Sequence, residues 1–148
     1  MRVFIAGIMQ GSRRDRFIED QAYRRAIAAV VRSYDSAAEI VDPNELHPQA
    51  VDYQDEQARA TLLHLIDMAS QADLVVAYAP RASMGTALEM WEAFRAKVPV
   101  VTISPMDANW VIRFLSDAVL PDLAAFRDWV AGGGLERLPS PADRKGSA

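Results

Sequence analysis

The sequence predicts one α/β domain, a three-layer α/β/α sandwich with a parallel sheet of four to five strands, Rossmann-like or flavodoxin-like in type. Three observations lead there. Short apolar runs without alternation, such as Val3-Phe4-Ile5-Ala6 and Leu74-Val75-Val76-Ala77-Tyr78, read as strands buried on both faces. Segments with helical spacing lie between them, giving the order β-α-β-α-β-α-β-α, with right-handed crossovers and helices on both faces of the sheet. A chain of 148 residues without an internal repeat suits a single core.

The elements follow in order. Val3 to Ala6 opens straight into Gly7 and the polar loop Gln10-Gly11-Ser12-Arg13-Arg14-Asp15. From about Phe17 to Val31, Ala22, Ile27, Val30 and Val31 recur at near-helical spacing. Ala38 to Val41 reads as the second strand, closed by Asp42-Pro43, and Pro43 and Pro48 mark a loop. A helix from about Asp55 to Ser70 carries Leu62, Leu63, Leu65, Ile66 and Ala69. Leu74 to Tyr78, bounded by Asp73 and Pro80, is the clearest strand. A helix from about Gly85 to Ala96 precedes the strand Val98 to Ile103, and Asn109–Asp117 and Asp122–Val130 read as two more helices. The domain is therefore expected over 1–131, with Gly132-Gly133-Gly134 and the Pro/Ser-rich end, 132–148, as a mobile tail.

Composition excludes several kinds of chemistry. There is no Cys, hence no disulfide, thiolate zinc site or Cys nucleophile. With two histidines, His47 and His64, and no HExxH or EF-hand pattern, neither a metal nor another cofactor is expected. A net charge of −4 argues against a nucleic-acid polymer as partner. Arg13, Arg14, Arg16, Arg24 and Arg25 nevertheless crowd the first quarter, as either a solvated helix face or a local attraction for a small anion. No apolar run reaches the roughly 18 residues of a membrane span, and the first residues are too few for a signal-peptide core. The expected address is the cytoplasm, with no membrane partner.

In parallel sheets of this kind, ligands sit at the carboxyl ends of the strands. Two loops with unusual chemistry fall there, Gly7–Arg13 and Ala79–Thr86. Gly85 and Thr86 open a helix whose first N–H groups can hold an anion, and Ser83 can cap that helix or join the ligand. Glu89 lies one turn inside, where a carboxylate could attack or stabilise a positively charged sugar carbon. The same four residues, Thr86-Ala87-Leu88-Glu89, also spell a capping box, in which Glu89 would bond the Thr86 N–H. Both readings stay open from spacing alone. The first loop is neither Walker A nor GxGxxG, although Ser12 and Arg13 suit phosphate oxygens.

Residues 4–16, Phe-Ile-Ala-Gly-Ile-Met-Gln-Gly-Ser-Arg-Arg-Asp-Arg, and 71–89, Gln-Ala-Asp-Leu-Val-Val-Ala-Tyr through Ser-Met-Gly-Thr-Ala-Leu-Glu, resemble the nucleoside 2-deoxyribosyltransferase superfamily. The nearer branch is the 2′-deoxynucleoside 5′-monophosphate N-glycosidases. Gly-Thr-x-x-Glu also resembles the lysine-decarboxylase-like phosphoribohydrolases, whose preceding Pro-Gly-Gly is absent. The resemblance implies a nucleophilic Glu89 and a 5′-phosphate cradle from the first loop and the start of the Glu89 helix. The candidate substrate contacts are Gly7, Ile8, Gln10, Gly11, Ser12, Arg13, Ser83, Gly85, Thr86 and Asn109. Serine rather than aspartate at Ser83 favours the nucleotide branch.

Two positions depart from the family pattern. Phe4 stands where a tyrosine usually hydrogen-bonds the nucleophile, and Leu65 stands where an acid usually protonates the leaving base. His64 and Asp67 are near in sequence but project to other faces. The expected function is an N-glycosidase or deoxyribosyl-transfer enzyme acting on a nucleoside 5′-monophosphate or related N-riboside. The alternatives are a phosphoribohydrolase and a non-catalytic nucleotide-binding domain. Met90, Trp91, Phe94, Trp110, Val111 and Phe114 supply more large apolar surface than one helix face usually hides, so a homodimer is expected. It would bring Asn109 or Arg113 of one subunit towards Glu89 of the other.

Overall fold

The computed structural model describes residues 1–10, 14 and 18–139. Five strands, β1 (Arg2–Gly7), β2 (Glu39–Val41), β3 (Leu74–Tyr78), β4 (Val100–Ile103) and β5 (Ala118–Leu120), form one sheet in the order β2-β1-β3-β4-β5. Every neighbouring pair is parallel. The helices are α1 (Ala22–Tyr34), α2 (Pro43–Leu46), α3 (Asp55–Ser70), α4 (Met84–Arg95), α5 (Trp110–Leu115) and α6 (Leu123–Ala131).

Strand alternation assigns the layers. Phe4, Ala6, Val75, Ala77 and Val100 pack against Leu65 and Met68 of α3, Met90 and Ala93 of α4, and Ile112 of α5. Val3, Ile5, Leu74, Val76, Val101 and Ile103 face Ile27 and Val31 of α1 and Phe126 and Val130 of α6. With helices on both sides, every position of β1, β3 and β4 is buried except the end residues Arg2 and Tyr78, and that is why their sequences run apolar without alternation. Burial of each of the larger side chains among them (Val, Leu, Ile, Phe, Met) contributes roughly 1.5–3 kcal/mol.

Several boundaries differ from the sequence reading by one or two residues, the fourth strand starting at Val100 rather than Val98, and four differences are larger. The first helix starts at Ala22 rather than near Phe17. Glu19 N–H bonds the Met9 carbonyl (2.8 Å), and the Gln21 amide donates to the Ile8 and Glu19 carbonyls (3.0 and 2.7 Å), so the chain folds back before it can coil. Pro43–Leu46 is a short helix within the expected loop, started by Pro43 and capped by Asp42, which accepts from Asn44 N–H at 2.9 Å. The helix expected over Asn109–Asp117 ends at Leu115, and the three residues that follow Asp117 pair with β4 as an edge strand. Of the segment 132–148 expected as a tail, residues 132–139 carry a 3-10 turn at Leu135–Arg137, with Leu135 and Leu138 packed on the α1/α6 side of the core. Gly134 is required there, because a Cβ would lie 2.2 Å from the Trp129 ring.

From β1 the chain moves outward to β2, then crosses to β3 on the other side of β1. The carboxyl ends of β1 and β3 therefore flank a topological switch point, the place where open parallel sheets bind ligands.

Candidate active site

At that switch point lies a cleft of about 320 Å³, at the lower end of the roughly 300–1,000 Å³ of small-molecule sites. Gly7 and Gln10 line it from the first loop, and Ser83, Gly85, Thr86 and Glu89 from α4 and its cap. Five of the expected substrate contacts thus meet Glu89 in one space. Ile8 is not among the lining residues: its side chain is buried, and its carbonyl accepts from the Gln21 amide and the Tyr23 hydroxyl. Asn109 lines a separate hollow of about 90 Å³ that shares Ser83 and Thr86 with the cleft. Its Oδ1 caps α5, accepting from Val111 N–H at 3.0 Å and Ile112 N–H at 3.4 Å. Gly11, Ser12 and Arg13 lie outside the described residues.

The start of α4 excludes the capping-box reading of Glu89. Ser83 is the N-cap, its Oγ accepting from Thr86 N–H at 3.4 Å and from the Thr86 hydroxyl at 3.0 Å, while Ala87 N–H bonds the Ser83 carbonyl. Thr86 sits inside the helix, so Glu89 cannot close a capping box on it. Met84 and Gly85 N–H groups have no acceptor among the described residues, and a Cβ on Gly85 would meet nothing within 4 Å. Two free donors at the positive end of a helix dipole therefore face open space.

Glu89 is half-buried and accepts no hydrogen bond among the described residues. Burial pushes its carboxyl from the ordinary 4.5 up to about 8, against the opposing pull of the Arg24 guanidinium. A carboxylate that is neither hydrogen-bonded nor fully hydrated is available as a nucleophile once ionised.

Arg24, which the sequence reading left open between a solvated helix face and a local attraction for a small anion, is 2% exposed, so the solvated face does not hold for it. β2 stops opposite Phe4, and beyond that point Arg24 donates to the Ile5 carbonyl (2.7 Å) and the Gly7 carbonyl (3.2 Å), in place of a strand. Asp42, also buried, balances its charge at 3.3 Å, and Gln21 accepts from its Nε at 2.6 Å. The signal was present in the pattern, since Arg24 falls in line with Ile27, Ala28 and Val31 on the buried stripe of α1. Tyr23 was also missed. Its ring stacks on Tyr78 at 4.2 Å, its hydroxyl donates to the Ile8 carbonyl (3.1 Å), and a Cβ on Gly7 would lie 2.3 Å from that hydroxyl. Gly7 is thus a close-approach glycine at the cleft edge. An Arg81–Glu19 ion pair ties the two site loops together.

The remaining candidates divide cleanly. Phe4 is buried in the α3/α4 side of the core and has no hydroxyl to offer. Leu65 lines the cleft, whereas His64 is exposed and the Asp67 carboxylate accepts from the Gln71 amide on the outer surface (2.6 Å). Met90 is core, but Trp91, Phe94, Val111 and Phe114 are exposed and Trp110 is 79% exposed. Among the described residues no group of three or more His, Cys, Asp or Glu converges as a metal site, and no helix is long and apolar enough to cross a membrane.

No protein-family model matches the sequence, and no curated protein matches it. Solved structures do share its fold. A 2-deoxyribosyltransferase from the psychrotolerant bacterium Bacillus psychrosaccharolyticus superposes with a TM-score of 0.66 at 18% identity, over 86% of this chain and 91% of that one. A conserved protein from Enterococcus faecalis V583 gives 0.62 at 17% identity, over 90% and 98%. The CMP N-glycosidase of Clostridium botulinum gives 0.51 at 14% identity, over 88% and 98%. In fold, these neighbours agree with the resemblance carried by residues 4–16 and 71–89.

Proposed function

We propose that this chain, whose fold is that of a 2-deoxyribosyltransferase, is an enzyme of the nucleoside 2-deoxyribosyltransferase superfamily that cleaves the N-glycosidic bond of a nucleoside 5′-monophosphate or a related N-riboside. The observation that carries the reading is the Glu89 carboxyl in the same cleft as the N–H groups of Met84 and Gly85, all three without a hydrogen-bond partner among the described residues. The 5′-phosphate sits on those donors and on the first loop, Gly7 to Arg13, which places C1′ of the sugar over Glu89. Glu89 attacks C1′, the bond to the base breaks, and water or a second base resolves the glycosyl ester. Arg24, fixed by Asp42 behind the cleft, favours the ionised form of the nucleophile.

The protein acts in the cytoplasm as a homodimer. The exposed Trp91–Phe94 and Trp110–Phe114 pairs support the second part, since rigid aromatics on adjoining helices are favoured at interface centres. Such a contact directs Asn109 or Arg113 of the partner subunit towards the cleft. The test is a screen of nucleosides and their monophosphates for release of free base, with Glu89→Gln as control. Base release from monophosphates that vanishes in the variant supports the reading. Binding of monophosphates without any base release would instead favour a non-catalytic nucleotide-binding domain, a reading to which the missing Phe4 hydroxyl lends weight.

A further inference from the structure

One wall of the cleft has a chemistry that nucleophilic attack does not use. Leu62 and Leu65 of α3, Leu88 of α4, and the thioethers of Met9 and Met84 line the space beside Glu89. Leu62 and Leu88 are 48% and 45% exposed, so apolar surface is kept facing the ligand rather than withdrawn into the core. Among the described residues, Glu89 is the one titratable group in the lining. The nearest alternatives on α3 are turned away: His64 is exposed and Asp67 is engaged with Gln71 on the outer surface.

We propose that the substrate is a cationic N-glycoside, one whose leaving ring nitrogen is already quaternised, as in a pyridinium or an N-alkylated purinium. The inference rests on the glycosidic reading above and names the substrate class of that same cleft. A neutral purine or pyrimidine leaves as an anion unless a proton reaches it, and the one acid among the described lining residues, Glu89, is already used as the nucleophile. A quaternised ring leaves neutral. Its flat aromatic body suits leucine and methionine contacts, because thioethers pack favourably at ring edges. The charge also solves the ionisation of the nucleophile, since a cation arriving within a few ångström of a carboxyl that burial holds neutral favours its charged form.

The step balances without an acid. A Glu89 carboxylate oxygen forms a bond to C1′ as the C1′–N bond breaks, and its electron pair stays on the ring nitrogen and cancels the positive charge. Water then attacks C1′, the ester C1′–O bond breaks, and the carboxylate is restored with one proton released to solvent.

The experiment measures base release by the full chain from nicotinamide mononucleotide and 7-methylguanosine 5′-monophosphate against cytidine and adenosine 5′-monophosphates, each corrected for spontaneous hydrolysis. The cationic pair is expected to react faster by at least about 100-fold, the low end of what a positioned proton donor contributes. Leu62→Asp and Leu88→Asp, both at exposed positions, place a carboxyl in the wall and are expected to narrow that gap by raising release from the neutral pair about 10-fold. Release from the neutral pair within about 10-fold of the cationic pair in the unmodified protein would overturn the inference and leave the glycosidic reading standing. No release from any of the four, or release that survives Glu89→Gln, would overturn both.

Discussion

Replacing Glu89 by Gln should make the protein more stable in alkaline solution and leave it unchanged in acid. The carboxyl is raised from 4.5 to about 8 in the folded chain because burial opposes its charge. Between those two pH values the unfolded chain has released this proton and the folded chain has not. Stability linked to the group is therefore intact below about pH 4.5 and falls as pH rises towards 8, above which the loss is complete. At about 1.4 kcal/mol per pH unit the full shift corresponds to an upper limit of about 5 kcal/mol. Water in the open cleft screens part of that, leaving on the order of 2 kcal/mol. Glutamine keeps the shape and cannot ionise, so the variant should match the wild type at pH 4.5 and melt higher at pH 9. For a domain of this size, 2 kcal/mol is roughly 5–10 °C. Differential scanning fluorimetry from pH 4.5 to 9.5 reads both curves. Parallel curves would refute the reasoning, because they would place an ordinary carboxylate at Glu89. A variant less stable at every pH would point to a capping role instead. In the active enzyme, base release from a neutral nucleotide should rise with pH up to about 8, since only the ionised carboxylate attacks.

Arg24→Met should destabilise the fold by about 3–5 kcal/mol in chemical denaturation, because it leaves Asp42 buried without its partner and the Ile5 and Gly7 carbonyls without a donor. Adding Asp42→Asn should recover part of the loss; a double variant no better than the single one would locate the damage in the carbonyl contacts alone. Lys97 holds a left-handed backbone at φ 65° on the exposed turn after α4, so Lys97→Gly should gain about 0.5–1 kcal/mol, and an unchanged melting temperature would show that the turn tolerates the side chain. Light scattering at micromolar concentration should give twice the chain mass of 16.3 kDa, and Trp110→Glu should return monomers that release no base; a wild-type monomer would remove the shared-site model.

The layer architecture was legible in the sequence because burial on both faces leaves a one-dimensional trace, as in Leu74 to Tyr78, which forms β3 with the bounds expected. Asp55–Ser70 was equally legible, its helical spacing and bounds surviving unchanged. β5 was not, since three residues at a sheet edge show no period and draw their partner from β4 across the fold. The position of Glu89 one turn into a helix at a strand end could be read from spacing, and so could the ambiguity with a capping box. Spacing could not say whether Ser83 or Thr86 caps that helix; the backbone of the preceding loop decides it, and it chose Ser83. Arg24 falls in line with the buried stripe of α1, but spacing could not say what would pair with an arginine buried there; β2 stops short and leaves two carbonyls of β1 in need of donors. Local pattern determines which segments are strands and helices because burial acts on one face of each helix and on both faces of the central strands. The site's electrostatics depend on which distant groups meet behind Gly7, and only the tertiary structure fixes that.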